Sequence, residues 1–494
     1  MIRRATIIGL LALLFGCRAG PGRAPKHPRL PNIVVLYADD LGYGDLPAYN
    51  ASSRIPTPNL DRLAREGMRF TDAHSSSGIC SPSRYALLTG RHHWRQFHDI
   101  VDSWEPSVLR PGRLTIADML RARGYATACI GKWHLGWDWS AVKHGDVFDW
   151  GQAIADGPTA HGFDTYFGDD VPNFPPYAWI ANDRVVAAPT VPMVPFPKPP
   201  EGSPECRPGP MVEGWRLDEV MPTLMRHAVA FVEQQQGGDR PFFLYFPFTS
   251  PHAPIEPTAE FAGRSGAGPY GDYVVETDAA VGAVFDALDR CGMADDTIVI
   301  FSSDNGPEIY AIERVRRFDH RSMGELRGIK RDVYEGGQRV PMLVRWPGVV
   351  AAGASSGALV GQVDVMATLA AITGFALPDD AAEDSFDLGP VWRGEVASVR
   401  PFLVHNTYAD KWGVRSGDWL LIDAQDGGHR KLPEWFVQRE GYEENPLPVM
   451  LFDMRKDPGQ RHNLAGDRPD VVAELRVLLT KLREQGHTAP RLER

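Results

Sequence analysis

A chain of 494 residues with a formal net charge of −11 can bury one large core and carry a smaller companion domain. Its acidity argues against a nucleic-acid binder, although basic residues gathered locally could still hold an anionic substrate. The 49 glycines and 42 prolines imply many loops between regular elements, and five cysteines are too few for a disulfide-framed fold.

Residues 1–16 read as a signal peptide: Arg3 and Arg4 precede the apolar run Ala5 to Phe15, which is too short to span a bilayer comfortably. An uncleaved membrane anchor is the competing reading. Leu14-Phe15-Gly16-Cys17 is similar to a bacterial lipobox, so the expectation is export to the periplasm or cell envelope with a lipid anchor on Cys17. Residues 17–30 read as a linker.

Residues 31–376 alternate strand and helix patterns. Asn32 to Tyr37 is a nearly unbroken, β-branched apolar run, the mark of a strand buried on both faces of a parallel sheet. It ends in Asp39-Asp40, adjacent carboxylates that are costly to hold together without a cation, although a simple Asp turn is the plainer alternative. A helix over Thr57 to Glu66 and a strand over Met68 to Thr71 lead into Gly78-Ile79-Cys80-Ser81-Pro82-Ser83-Arg84. Pro82 favours a helix start there, which places Cys80 at a helix N-terminus, where free amides and the macrodipole favour an anion. A helix over Leu114 to Arg123 and a strand over Ala126 to Ile130 deliver Gly131-Lys132-Trp133-His134-Leu135-Gly136. Two basic side chains two residues apart beyond a strand can point the same way.

Asp169 to Pro210 is dense in proline and aromatic residues and reads as a long loop, either a packed surface or a rim able to stack on sugar rings. A helix over Asp218 to Gln235 and a strand over Phe242 to Phe246 end in Ser250-Pro251-His252-Ala253-Pro254. Tyr273 to Arg290 reads as a helix, Thr297 to Phe301 as a strand ending in Ser303-Asp304-Asn305-Gly306, and Met342 to Arg345 as a further strand after Lys330 and Tyr334-Glu335-Gly336-Gly337. A helix over Gln362 to Thr373 follows. Functional residue types after strand ends predict an α/β, doubly wound, mostly parallel sheet flanked by helices, with its ligand at the strands' carboxyl edge. From 377 to 494 the pattern changes to short strands at Phe402 to His405, Val414-Arg415 and Trp419 to Ile422 and a helix over Pro469 to Glu484, a smaller C-terminal α+β domain with a short antiparallel sheet. Asp423 to Met450 is expected to be a loop reaching the cleft.

Asp39, Asp40, Asp304 and Asn305 offer hard oxygen ligands that suit Ca2+ and could accept Mg2+, and zinc is less favoured because no histidine or thiolate is required in the set. The string Cys-x-Pro-Ser-Arg-x-x-x-Leu-Thr-Gly from Cys80 to Gly90 resembles the signature of the formylglycine-dependent sulfatases. Gly131 to Gly136, Pro251-His252-Ala253-Pro254 and Lys330, four residues before the Tyr-Glu-Gly-Gly string, match further motifs of that family, and His161 to Gly168 matches more weakly. Gly413 to Leu420 and Leu451 to Leu464 resemble its small C-terminal domain, with Leu420 where a lysine is frequent.

The resemblance implies an alkaline-phosphatase-like fold and a Cys80 oxidised by a formylglycine-generating enzyme during maturation. It makes the metal calcium, bound by Asp39, Asp40, Asp304 and Asn305, with the oxidised Cys80 side chain and a sulfate oxygen completing the shell. It also implies that Arg84 and the metal activate the hydrated aldehyde, with Asp304 accepting the attacking hydroxyl's proton. Lys132 and Lys330 would neutralise the sulfate oxygens, His252 would protonate the departing alcohol, and His134 would take the proton that triggers sulfate release.

The resulting expectation is an exported sulfatase acting on a sulfated small molecule or glycan. The alternatives are a formylglycine-dependent phosphodiesterase or phosphonate monoester hydrolase, and a non-catalytic sulfoglycan-binding lipoprotein. His92, His93 and His98 read as a solvated surface rather than a second metal site. Cys129 and Cys291 read as packing residues, and whether Cys206 pairs with either stays open.

Overall fold

The computed structural model describes residues 30–193 and 206–490, so the predicted signal peptide, Cys17 and the linker up to residue 29 lie outside the described residues. From Pro31 on, the chain forms one compact unit.

A ten-stranded sheet organises it, in the spatial order Ala354–Ser356, Met68–Phe70, Met342–Arg345, Thr297–Ser303, Asn32–Ala38, Phe242–Pro247, Ala126–Lys132, Thr165–Asp170, Ile180–Ala181 and Arg184–Val185. Asn32–Ala38 lies parallel between Phe242–Pro247 and Thr297–Ser303, and Ala126–Lys132 and Thr165–Asp170 continue the parallel set; Met342–Arg345 is antiparallel to both its neighbours. Beyond Asn32 the central strand is buried throughout, as its unbroken apolar run requires. Period-two alternation splits it: Val34 and Leu36 join the core beneath helices Val220–Gln234 and Gly268–Arg290, whereas Tyr37 turns to the opposite face, where its hydroxyl donates to Gln362. On that second face, helices Cys80–Thr89, Ile116–Ala122 and Val365–Thr373 contact one another.

The register places the site. Ala38 pairs with Ser303 and Tyr37 with Pro247, so three neighbouring parallel strands end side by side and release Asp39-Asp40, Asp304-Asn305 and the loop to His252 at one edge. Ala126–Lys132 brings Lys132 to the same edge.

A separate four-stranded antiparallel sheet runs in the order Phe402–Asn406, Trp412–Ser416, Trp419–Ile422, Met450–Asp453. One face packs on helix Pro469–Glu484 through Val472, Leu475 and Leu479. The other packs Leu420, Ile422 and Phe452 on Val333 and Tyr334. Leu420 is fully buried there, a position in which a lysine would need a partner for its charge.

The proline- and aromatic-rich stretch departs from a structureless loop. It contains Ile180–Ala181 and Arg184–Val185, which extend the large sheet, and Val191–Met193 paired with Gly209–Met211. These pieces are too short to leave a periodic trace in the sequence. His92 and His93 also differ from expectation, being fully buried. His93 Nε2 and the less buried His98 Nδ1 both meet Asn406 Oδ1 at 3.1 Å, which ties this segment to the C-terminal sheet.

Candidate active site

Cys80 is the first residue of a ten-residue helix, Cys80–Thr89, every residue of which is buried. Ile79 is its extended N-cap, and Pro82 sits inside the first turn, where its missing N–H costs no helical bond. Gly90 closes the helix at φ 64°, donating its N–H to Ala86 O. The Cys80 thiol therefore lies at the positive end of a helix and donates to Asp39 Oδ1 at 3.4 Å. Burial and then the Asp304 charge push that thiol well above its ordinary value.

One turn on, Arg84 donates from Nε and Nη2 to Asp304 Oδ2, at 3.1 and 2.8 Å, and from Nη1 to Lys132 O at 3.0 Å. Lys132 Nζ meets Asp39 Oδ2 at 2.6 Å, and Lys330 Nζ meets Asp40 Oδ2 at 2.8 Å. Three carboxylates thus face three cations, all essentially excluded from water. Burial alone would raise Asp40, but Lys330 and then His252 hold it well below the carboxylate range. Asp304 goes the other way, to about 6, because burial and Asp39 together outweigh Arg84.

Local backbone chemistry holds these groups in place. Asp40 adopts φ 64°, a left-handed conformation that Asp tolerates better than most residues, and its N–H donates to Asp304 Oδ1 at 3.1 Å. Gly131 precedes Lys132 at φ 124°, and a Cβ there would stand 1.9 Å from Pro247 O, so only glycine lets the strand deliver the lysine. His134 is also left-handed at φ 56°; its N–H donates to Asp170 Oδ1 at 3.1 Å and its Nε2 meets Val101 O at 2.9 Å. The ring's Nδ1 is buried without a partner. Burial, reinforced by Lys132 and Arg84, keeps His134 well below the ordinary imidazole value. His252 Nε2 stands 3.7 Å from Asp40 Oδ2, and burial and Lys330 lower the ring to about 3 against the pull of Asp40.

The donor set fits a hard divalent cation. Asn305 donates from Nδ2 to Asp40 Oδ1 at 2.7 Å, and its own Oδ1 is buried with no hydrogen-bond partner, a free carbonyl oxygen beside carboxylates. Ligand atoms of Asp39, Asp40, Cys80 and His252 lie within 4.8 Å of one another. Because the carboxylates and cations balance, adding a divalent cation leaves a net positive centre, which an anionic ester complements.

All ten sequence-predicted site residues converge here: Asp39, Asp40, Cys80, Arg84, Lys132, His134, His252, Asp304, Asn305 and Lys330. Sequence reasoning misses Asp170, which holds the His134 backbone, and Phe174, whose ring meets the His134 ring edge-on at 5.5 Å between centroids. It also misses Asp169, which is buried beside them and raised by burial to about 7. A carboxylate pair ending a strand, as at Asp39-Asp40, is the one signal that points to Asp169-Asp170. Among the described residues Cys80, Cys129, Cys206 and Cys291 are all free thiols, Cys206 packing between Tyr177 and Met193.

A doubly wound sheet with charged groups and a helix-N-terminal residue at its carboxyl edge defines a ligand-processing α/β fold, and the comparisons with known proteins specify it. Residues 31–375 match the sulfatase family profile, and the chain belongs to that family. It is a sulfuric ester hydrolase. It is 33% identical to an N-acetylgalactosamine-6-O-sulfatase of Bacteroides thetaiotaomicron over 514 aligned residues, covering 96% of this chain and 97% of that one. Human arylsulfatase A is 36% identical over 482 residues, covering 91% of this chain and 87% of that one. A solved Bacteroides thetaiotaomicron 6S-sulf structure, from work on the metabolism of multiple glycosaminoglycans, superposes with a TM-score of 0.79 at 30% identity and covers 93% of this chain and 100% of that one.

Proposed function

We propose that this protein is an exported glycan sulfatase that uses a formylglycine made from Cys80 and a bound Ca2+, with a 6-O-sulfated N-acetylhexosamine as the first substrate to test. The observation that carries the reading is the convergence of Arg84, Lys132 and Lys330 with three carboxylates and the unpartnered Asn305 oxygen around a cysteine that opens a buried helix. The relatives that act on N-acetylgalactosamine 6-sulfate, one of them matched over nearly its whole length, support the substrate class.

Asp39, Asp40, Asp304 and Asn305 would hold the metal, which supplies a Lewis acid for the sulfate oxygens and the nucleophile. A hydrated aldehyde supplies two hydroxyls, one to attack sulfur and one whose deprotonation expels sulfate by C–O cleavage, so no second attack on sulfur is needed. Cys80 Sγ marks the position of those hydroxyls. Arg84, fixed on Asp304, orients them, and Lys132 and Lys330 exchange part of their contact with Asp39 and Asp40 for the sulfate oxygens, where they stabilise developing charge. His252, on the cavity side of Asp40, would donate a proton to the departing alcohol once the negative charge of the bound sulfate ester offsets the burial and Lys330 that keep the ring neutral in the free enzyme. His134, anchored through Nε2, offers Nδ1 as the acceptor.

Export with a lipid on Cys17, and a division at residue 376 between catalytic and C-terminal parts, complete the proposal. Mass spectrometry of the Cys80 peptide from the native host, together with relative rates on paired aryl sulfate and aryl phosphonate esters, tests it. An aldehyde in the peptide and faster sulfate cleavage are expected. An intact thiol in a fully active enzyme, or faster phosphonate cleavage, would reject it.

A further inference from the structure

The segment after Ile422 packs beside the Lys330 loop and brings Arg430 to Glu308. It is not a bare loop, since it holds helix Glu434–Glu440, whose Phe436 packs on Ile312 and Ile329. Its first part is pinned beside the Lys330 loop: Val333 N–H donates to Gly427 O at 2.9 Å, and His429 N–H donates to Asp332 Oδ1 at 2.7 Å. The His429 ring stacks on Tyr408, with centroids 4.6 Å apart and planes at 28°. The next residue, Arg430, reaches Glu308 Oε1 at 3.5 Å with its side chain 46% exposed. Arg331 pairs with the other oxygen of Glu308.

Glu308 and Arg331 line a cavity of about 70 Å3 together with Asp40, His252 and Asn173. Two guanidinium groups on one carboxylate leave a positive charge in excess next to Lys330. The backbone is bent to achieve this: Arg331 adopts φ 81°, in the left-handed region that a non-glycine residue avoids, and its N–H donates to Gly78 O at 2.7 Å. That bend lets consecutive residues reach two different carboxylates of one cavity, Lys330 to Asp40 and Arg331 to Glu308. The proposed sulfate chemistry uses neither arginine.

We propose that Arg331 and Arg430, spaced by Glu308, form a subsite for a second anionic group of the substrate, a carboxylate or further sulfate on the sugar next to the one that is desulfated. The substrate class is then an acidic glycan rather than an isolated sulfated sugar. This rests on the sulfatase reading of the Cys80 site. An arginine fork matches the oxygens of either anion, and Glu308 fixes the forks before the ligand arrives. Because Arg430 is half exposed, its contribution is moderate rather than absolute.

The test uses the formylglycine-bearing, calcium-loaded enzyme and three substrates with the same sulfated hexosamine, linked to a uronate, to a second sulfated sugar, or to a neutral sugar. Aryl sulfate is the internal reference. The wild type is expected to prefer at least one acidic substrate over the neutral one by about tenfold in kcat/KM, with Arg430→Gln erasing the preference and Arg430→Lys retaining part of it. The arm that responds identifies the anion. No preference in the wild type, or an equal loss on all substrates in Arg430→Gln, would overturn the subsite. Calorimetric affinities of the Cys80→Ala protein for the same substrates are read without turnover. An enzyme inactive on every sulfate would sink the sulfatase reading, while the subsite would still stand or fall on those affinities.

Discussion

Two of the buried charge clusters among the described residues differ in which atoms they leave without a partner. Around Cys80, Asp39, Asp40 and Asp304 balance Arg84, Lys132 and Lys330, yet the Asn305 oxygen has no partner and a cavity opens beside Asp40 and His252. In the second cluster Asp72 and Glu335 face Arg339, Arg415 and His74. Arg415 contacts Asp72 at 2.9 Å and Glu335 at 3.0 Å, Arg339 contacts both carboxylates, and His74 Nε2 meets Glu335 Oε2 at 3.0 Å. The His405 ring lies near His74, with centroids 4.9 Å apart and planes tilted by 46°, so this group also has the residue types of a metal site. Its carboxylate oxygens are already bound by guanidinium groups, so a cation would have to displace two arginines; the buried atoms it leaves without a partner are nitrogens, His74 Nδ1, His405 Nε2 and Arg415 Nε, not oxygens. The first cluster keeps an unpaired oxygen beside a cavity; the second clasps the Tyr-Glu-Gly-Gly segment to the C-terminal sheet.

Substitution can break this contrast. Cys80→Ala is expected to lower kcat on aryl sulfate by on the order of 10⁴-fold or more, with thermal stability nearly unchanged. Full retained activity would remove Cys80 from the chemistry. His252→Ala is expected to cost about 10²–10⁴-fold in kcat, and less on substrates with a good leaving group such as nitrophenol, because they need little protonation. A uniform loss would argue against its role as the acid.

On the other cluster, Glu335→Ala leaves Arg339 and Arg415 sharing Asp72 as their one carboxylate partner in the interior and should destabilise the protein by about 3 kcal/mol in chemical denaturation. The surviving folded enzyme should lose activity on chelation and regain it with Ca2+ just as the wild type does. If Glu335→Ala instead abolished calcium dependence, the clasp would have to be reassigned as the metal site.

The smallest expected effect concerns pH. Burial lowers His92 from 6.5 to about 4, with Asp384 opposing and Arg400 and Arg95 assisting. The folded pKa lies below the unfolded one, so the unfolded chain takes up the proton first. The contribution is complete above pH 6.5 and declines as pH falls, reaching about 3 kcal/mol of lost stability by pH 4. His92→Leu should flatten the acid limb of the stability curve by that amount, whatever it does at pH 7. An unchanged limb would show that His92 does not titrate with unfolding.

Much of the site is legible in the sequence because its residues follow strands and sit in strings with few physical alternatives. Trp419 to Ile422, Met342 to Arg345 and Pro469 to Glu484 occur with the bounds their patterns predict, since apolar runs and helical periodicity are local properties. Asp170 leaves only the trace of an acid pair at a strand end and Phe174 leaves none, because each matters through His134, distant in sequence and adjacent in space. His92 and His93 mislead for the same reason: three histidines near a helix end resemble a wet surface, and only the packing of Asn406 and Trp94 on them shows otherwise.

Sequence alone determined the residue types on which the proposed site draws: a cysteine before a proline and an arginine, paired acids after apolar strands, and two lysines and two histidines in short strings. Those features are local, and each residue type limits what its side chain can do. Tertiary structure decided which cluster is open. Asp39 and Glu335 are equally buried acids in sequence-distinct motifs, and only the sheet register and the packing of the C-terminal strands determine that Glu335 is saturated by arginines while Asn305 keeps an unpaired oxygen beside Asp40.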